Sequence, residues 1–419
     1  MAASTGTLRR VVVTGLGAVT PIGNNTAEFW QGLLEGRNGI ARIQAFDPAD
    51  LSVQIGAEVK GFVAEERMDP KLARRCDRFT QFALCAAEEA VKDSGLDFAA
   101  EDPVRAGAVV GSGMGGVQTW EQQHAQFVEK GPRRVSPLLI PMMIPDMAAG
   151  QISIVYGLRG PNYATVSACA SGAHAAGVAF RHIARGDADI MISGGAEAAV
   201  TRFTVAAFAN MGALSKRNEE PGRASRPFDR DRDGFVIAEG CGIYVLEELE
   251  HARRRGARIY CELAGYGATG DGHHITAPDP EGKGAAEVMR AAIADAGLRP
   301  DDIEYINAHG TSTPLNDATE VRAIYGVFGE HARRLAINST KSMIGHGLGA
   351  AGAMEFVATV LAVYHGKLHR TLNHENPDDG VNLDFVKDGP REVAVHAALS
   401  NSFGFGGHNC CLCVRRFEG

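Results

Sequence analysis

Three residues of this chain carry the right types, in the right settings, for carbonyl chemistry. Cys169 lies in Thr165-Val-Ser-Ala-Cys-Ala-Ser-Gly-Ala-His-Ala-Ala-Gly177, where a short β-prone run, Ala164 to Val166, gives way to a small-residue helix. Backbone N–H groups at a helix start are unpaired and form the positive end of the helix dipole. A thiol held there is predicted to ionise well below its free pKa of about 8.5. His309 lies in Asn307-Ala-His-Gly-Thr-Ser-Thr-Pro314 at a strand end, and His346 in Ser339-Thr-Lys-Ser-Met-Ile-Gly-His-Gly347 ahead of another helix. One cysteine with two histidines can serve proteolysis, acyl transfer or carbon–carbon bond formation. A cysteine hydrolase would pair one histidine with an Asn or Asp that orients it. Two imidazole donors point instead to a carbonyl that becomes an enolate, each Nε2–H bonding the same thioester oxygen as charge develops. Loss of one such donor typically costs about 2.7–4 kcal/mol of barrier. Metal binding by the pair lacks a third ligand at usual spacing, and His273-His274 supplies none.

Strand-like and helix-like runs alternate along the whole chain. Arg10 to Thr14 is a β-branched run ending in Gly15-Leu-Gly17, and Asp77 to Asp93 has helical apolar spacing closed by Gly95. Ala106 to Val110 runs into Gly111, and Ala188 to Ser193 into Gly194-Gly195. This alternation predicts α/β layers with a largely parallel sheet. The pattern also repeats faintly. Gly111-Ser-Gly-Met-Gly-Gly116 follows one strand and His309-Gly-Thr-Ser-Thr another. Cys169 then precedes a Gly/Ala helix, as His346 precedes Gly347-Leu-Gly-Ala-Ala-Gly352. Two such halves back to back would bring both Gly/Ala helices to one central site. The boundary falls near Gly256, with a half 1–255 carrying the cysteine and a half 256–419 carrying both histidines. Gly111 to Gly116 fits G-x-G-x-x-G, but no second strand ending in an acidic residue follows, as a dinucleotide site would want. A tight turn facing the central cavity is expected instead.

The bulk numbers bound the class. A chain of 419 residues suits one large α/β body or two fused domains. Its 51 glycines far exceed the average share of about 7% and gather around the candidate reactive residues. A formal net charge of −8 argues against general nucleic-acid or anionic-membrane binding. The first ten residues are polar, without an apolar core of signal-peptide length, and no run of 18 apolar residues predicts a membrane span. Of the eight cysteines, Cys410, Cys411 and Cys413 cluster without forming a zinc motif. Apart from Cys169 they read as small buried hydrophobes, at home in a reducing cytoplasm.

Val166-Ser-Ala-Cys-Ala-Ser-Gly, Asn307-Ala-His-Gly-Thr-Ser-Thr, Ser339-Thr-Lys-Ser-Met-Ile-Gly-His and Asn401-Ser-Phe-Gly-Phe-Gly-Gly-His-Asn together resemble the β-ketoacyl-[acyl-carrier-protein] synthases, in particular the elongating type II enzymes of dissociated fatty acid synthesis. Order and spacing hold from about Arg10 to Val414, and Ser225-Arg-Pro-Phe-Asp-Arg-Asp-Arg-Asp-Gly-Phe235 belongs to the same pattern. Thiolases carry a second catalytic cysteine where Phe403-Gly-Phe405 stands here, and initiating synthases have Asn in place of one histidine.

The resemblance implies a thiolase-like fold: α/β, two pseudo-duplicated βαβ halves in a layered α-β-α-β-α arrangement. It implies that Cys169 accepts an acyl chain, that the N–H groups of Cys169 and Phe405 form an oxyanion hole, and that His309 and His346 hold the malonyl thioester oxygen. Lys341 and Glu355 match further polar active-site positions, with the role of Lys341, chemical or electrostatic, left open. Phe405 matches a gating phenylalanine, Phe208 its pocket-side partner, and Met114 a wall that tunes acyl length, with Met142, Met143 and Met147 nearby as an adaptable apolar tunnel. Thr276, Thr311 and Thr313 match contacts to the phosphopantetheine arm, which the acyl carrier protein supplies; no other cofactor is implied. Lys71, Arg74, Arg75, Arg133 and Arg134 would form a basic docking rim for that acidic carrier, although Gly212 stands where these enzymes often have arginine. A homodimer is implied, and a monovalent cation at Asn307, Ala308, Glu355, Ser400 and Asn401. The rival readings are a free-standing ketosynthase of polyketide or specialised lipid assembly and, against the presence of Cys169, a catalytically dead chain-length partner.

Overall fold

Ten strands make one sheet in this computed structural model, which describes residues 8–419. Residues 1–7, on which the expectation of no signal peptide largely rests, lie outside the described residues. Strands β1 (Val11–Val19), β2 (Ala106–Gly111), β3 (Asn162–Tyr163), β4 (Ile190–Glu197) and β5 (Gly240–Glu248) stand in the order β3-β2-β4-β5-β1. Strands β6 (Cys261–Gly270), β7 (Tyr305–Asn307), β8 (Ala336–Asn338), β9 (Ala397–Gly404) and β10 (His408–Arg416) stand in the order β8-β7-β9-β10-β6. The second order is the first repeated. The two sets join where Val11–Val13 of β1 pairs antiparallel with Cys261–Leu263 of β6.

The sheet is mixed, not largely parallel. β2 runs parallel to β3 and β4, and β7 to β8 and β9, whereas β5 and β10 oppose both of their neighbours. Apolar runs look alike in either direction, so periodicity could not reveal this. Between β9 and β10 only residues 405–407 intervene, too few for the crossover that a parallel pair requires.

Six helices complete five layers. α1 (Arg78–Ser94) and α2 (Met147–Tyr156) cover the outer face of the first five strands, and α4 (Lys283–Asp295), backed by α5 (Pro314–Phe328), covers that of the second. α3 (Ser171–Arg185) and α6 (Ala351–His365) lie between, each packed on strands of both sets. The α1 ends follow from local chemistry: the Asp77 carboxylate accepts from the Phe79 N–H, and Gly95 closes the helix in the left-handed conformation. The stretch Leu348–His365 is apolar and long enough to cross a membrane by composition, yet 89% of it is buried inside the fold. It is a core helix.

α3 and α6 approach so closely that only small residues fit. A Cβ on Gly172 would lie 2.9 Å from the Gly349 carbonyl oxygen and 3.0 Å from the Ala353 Cβ. Each helix follows a 3₁₀ turn, Ala168–Ala170 and Leu348–Ala350, whose first residue has positive φ: 50° at Ala168 and 49° at Leu348. In this register the counterpart of Cys169 is Gly349, not His346. The sequence repeat had matched reactive residues with each other; the backbone matches turns, and the histidine sits three residues earlier.

A Cβ at Gly111 would fall 2.3 Å from the Ser171 carbonyl carbon and oxygen, so Gly111→Ala must push α3 away from β2. It is expected to lower stability by about 1–3 kcal/mol, read from the urea midpoint, and to reduce activity with it.

Candidate active site

The nucleophile turn is built by short-range hydrogen bonds. Ser171 Oγ donates to the Ala168 carbonyl (2.6 Å) and accepts from the Ser167 N–H (2.9 Å), while Thr165 Oγ1 donates to the Ser171 carbonyl (2.7 Å). These bonds hold Ala168 in its left-handed conformation and turn Cys169 into a cavity of about 460 Å³. The Phe405 backbone N–H faces the sulfur and favours its thiolate. Burial pushes the Cys169 thiol up to about 12, and the Lys341 charge and the Phe405 N–H pull the other way without overcoming it. The lowered thiol expected from a helix start is therefore not found. α3 begins at Ser171, two residues beyond the sulfur, and desolvation of the thiolate outweighs what its dipole supplies.

His309, just after β7, and His346, just before the Leu348–Ala350 turn, reach the same cavity. Their rings stand 5.4 Å apart and nearly perpendicular. Burial first, and the Lys341 charge second, hold both imidazoles well below their usual range, so both are neutral. Lys341 Nζ donates to the His309 carbonyl (2.6 Å), to Glu355 Oε1, and to His309 Nδ1 (3.3 Å). An ammonium has no acceptor, so Nδ1 must carry the lone pair and the His309 proton resides on Nε2. The His346 ring packs edge-on to Phe235 at 5.1 Å, its Nδ1 buried without a partner.

Met114, Phe208, Thr276, Thr311, Thr313 and Phe405 line the same cavity. Lys341 and Glu355 do not; they lie behind the histidines as a buried ion pair. Glu355, expected at a polar active-site position among the substrate-binding residues, stands behind the cavity wall: burial pushes its carboxyl up to about 7 while Lys341 opposes the rise. Met142, Met143 and Met147 are also absent from the wall; Met143 instead accepts the Gly116 N–H through its carbonyl. Two carboxylates escaped the sequence reading. Glu320 accepts the N–H groups of His309 (2.9 Å) and Gly310 (2.8 Å), and Glu197 accepts from Ser112 Oγ (2.8 Å), Gly113 N–H (2.7 Å) and Gly349 N–H (3.0 Å). A single acid ending an apolar strand, as Glu197 does, was the available signal.

The oxygen atoms Asn307 Oδ1, Glu355 Oε2, Ser400 Oγ and Asn401 Oδ1 are buried without hydrogen-bond partners, and Asn307 and Ser400 are cross-strand neighbours. Such a set of orphaned oxygens fits a hard cation. Lys71, Arg74, Arg75, Arg133 and Arg134 are all exposed. The carboxylate of Asp77, two residues after Arg75, binds Thr119 at the start of the helix Val117–Lys130, whereas Arg133 follows the other end. That helix is fourteen residues, about 20 Å, long. Gly212 lines the cavity mouth with φ of 73°, a conformation that disfavours the arginine of related enzymes.

Because the folded thiol is raised, its thiolate fraction grows tenfold per pH unit up to about 12. Alkylation of the free protein by iodoacetamide should accelerate from pH 7 to 10 without a plateau; a plateau near pH 8 would contradict the burial argument. Lys341→Met strands a buried carboxylate and should destabilise the fold by about 3–5 kcal/mol, measured by urea denaturation.

The family description Beta-ketoacyl synthase, N-terminal domain, matches residues 8–252, and its C-terminal domain matches residues 260–375. The chain is 52% identical over 410 residues to the 3-oxoacyl-[acyl-carrier-protein] synthase 2 of Synechocystis sp., covering 98% of this chain and 99% of that protein. It is 50% identical over 410 residues to the protein of the same name from Staphylococcus aureus, with the same coverage. Among solved structures, a beta-ketoacyl synthase from Burkholderia phymatum superposes with a TM-score of 0.90 at 37% identity, covering 98% of this chain and 100% of that one. The ketosynthase of a type II polyketide synthase, solved with its acyl-carrier protein, superposes with a TM-score of 0.91 at 35% identity and the same coverage. With the Cys169, His309 and His346 constellation set in a doubled five-strand framework, the chain belongs to the β-ketoacyl synthase family.

Proposed function

We propose that this enzyme lengthens a fatty acyl chain by two carbons through decarboxylating condensation with malonyl-acyl carrier protein, as a 3-oxoacyl-acyl carrier protein synthase of the second type. The observation that carries the reading is the His309 tautomer. Its Nε2–H and the neutral His346 ring face the chamber that holds the sulfur, as polarisation of a thioester oxygen demands.

In the first half-reaction the Cys169 sulfur attacks the carrier-bound acyl carbonyl. The carrier's carbon–sulfur bond breaks, and the thiol proton passes to the departing pantetheine sulfur. A raised thiol makes this proton transfer part of the step, because little thiolate is stored beforehand. The N–H groups of Cys169 and Phe405 receive the oxyanion. In the second half-reaction His309 and His346 donate to the malonyl thioester oxygen while the bond to the carboxylate breaks. CO2 leaves, the electron pair becomes an enolate, and its carbon attacks the acyl-cysteine carbonyl. The Cys169 sulfur departs and takes a proton from solvent, leaving a 3-oxoacyl carrier two carbons longer. Met114 and Phe208 bound the acyl end of the cavity; Thr276, Thr311 and Thr313 lie along the phosphopantetheine path.

The partner is the acyl carrier protein, a reading supported by the solved ketosynthase–carrier complex that this fold matches. No cofactor beyond the carrier's phosphopantetheine enters the steps. Asn307, Ser400, Asn401 and Glu355, with the Ala308 carbonyl, would hold a monovalent cation that offsets the Glu355 charge. A homodimer is supported by the free edge at β3, where Ile154, Val155, Tyr163 and Val166 leave apolar surface exposed. Eight free buried cysteines suit the cytoplasm. Polyketide assembly is the second reading, favoured by the superposition on such a ketosynthase; identity of 50–52% to the fatty acid enzymes weighs against it.

With acyl-carrier and malonyl-carrier as substrates, the wild type should release CO2 and form a 3-oxoacyl-carrier detectable by mass. Cys169→Ser should abolish condensation, and His309→Ala should slow CO2 release by about 10²–10³-fold. Elongation retained by Cys169→Ser would overturn the assignment.

A further inference from the structure

We infer that His174 is a positioning residue for the oxyanion hole, tying the turn that carries Cys169 to the hairpin that carries Phe405. The inference rests on the acyl-transfer reading above and adds to it a residue outside the cavity wall. The two N–H groups that must meet one oxygen belong to unrelated pieces of chain. One is in the turn after β3 and the other in residues 405–407 between β9 and β10. These segments touch directly: a Cβ on Gly404 would lie 2.7 Å from the Ser167 carbonyl oxygen and 3.1 Å from the Cys169 nitrogen. Contact alone sets only how near they come. Donors to an oxyanion must lie 2.7–3.1 Å from it, and a misplacement of about 1 Å can cost about 100-fold in rate.

His174, in the first turn of α3, spans that junction. Its Nδ1 lies 2.6 Å from Ser167 Oγ, two residues before the nucleophile, and the ring faces the backbone of Asn409, four residues after Phe405. Burial holds the imidazole down at about 4, so it is neutral, with one donor and one acceptor. The Asn409 backbone favours the protonated ring, as a carbonyl facing a ring N–H does. The proton then sits on Nε2, and Nδ1 accepts from the Ser167 hydroxyl. The Tyr266 ring, edge-on at 6.2 Å, walls one side. Tyr266 can stand there because residue 177 is glycine, where a Cβ would lie 2.2 Å from the ring. The His309–His346 pair depends on other residues, Lys341, Glu320 and Phe235, so the brace serves acyl transfer and not malonyl polarisation.

The two partial reactions separate the roles. Transfer of a radiolabelled acyl group from acyl-carrier to Cys169 reads the oxyanion hole, and CO2 release from malonyl-carrier alone reads the histidine pair. His174→Phe, which keeps a ring and loses both polar contacts, should slow transfer by about 10–100-fold and leave CO2 release within about twofold. His174→Gln, which offers a donor and an acceptor, should recover most of the transfer rate. Ser167→Ala, which deletes one bond and no bulk, should slow transfer by a smaller factor with CO2 release unchanged, and it carries the test should His174→Phe fail to fold. Equal loss in both partial reactions, no rescue by Gln, or unchanged transfer in His174→Phe or Ser167→Ala would each overturn the inference. A wild type that performs neither partial reaction would overturn the proposed function instead.

Discussion

A buried ammonium that must spend all three of its protons organises the catalytic end of this molecule. Lys341 Nζ meets Glu355, the His309 carbonyl and His309 Nδ1. The first contact answers the cost of burying a charge, the second ties the lysine to the strand-end loop, and the third decides which imidazole nitrogen bears hydrogen. The same positive charge lowers both histidines and tempers the Cys169 thiol. One cation outside the cavity thereby reinforces what burial does to the two histidines and opposes what burial does to the thiol. Its protons are committed to these partners, and it stands behind the cavity wall.

That arrangement requires two sheets' worth of structure to converge, and convergence is what the small residues permit. Gly172, Gly349, Gly352, Ala173 and Ala353 let α3 and α6 meet with backbone nearly in contact between the two five-strand sets. Burial on both faces explains why α6 is apolar nearly all round and why Glu355 within it must be paired. The repeated strand order makes the helix turns equivalent, yet only the first half puts a nucleophile in its turn. The glycine at 349 in the second half leaves room for the Glu197 carboxylate, whose Oε2 would lie 2.6 Å from a Cβ there.

Much of this was legible from residues alone. Cys169, His309 and His346 announced themselves through glycine-rich contexts, and those contexts are real turns in one cavity. Asp77 and Gly95 bounded α1 correctly because capping is local chemistry, decided within four residues. Strand direction was not legible, since an apolar run carries no arrow, and neither was the ionisation of the thiol, because desolvation depends on residues hundreds of positions away. Both basic runs are exposed, as their composition suggested.

The chain's order of residues determined which atoms could react and which turns would present them, since side-chain type and backbone freedom are properties of a few adjacent positions. The tertiary structure alone decided that His309 is protonated on Nε2, that Cys169 rests as a thiol, and that Glu197 and Glu320 are structural acceptors for the cavity loops. Each of those outcomes is an electrostatic or hydrogen-bonding balance among groups far apart in sequence, and no local pattern encodes the distances that set it.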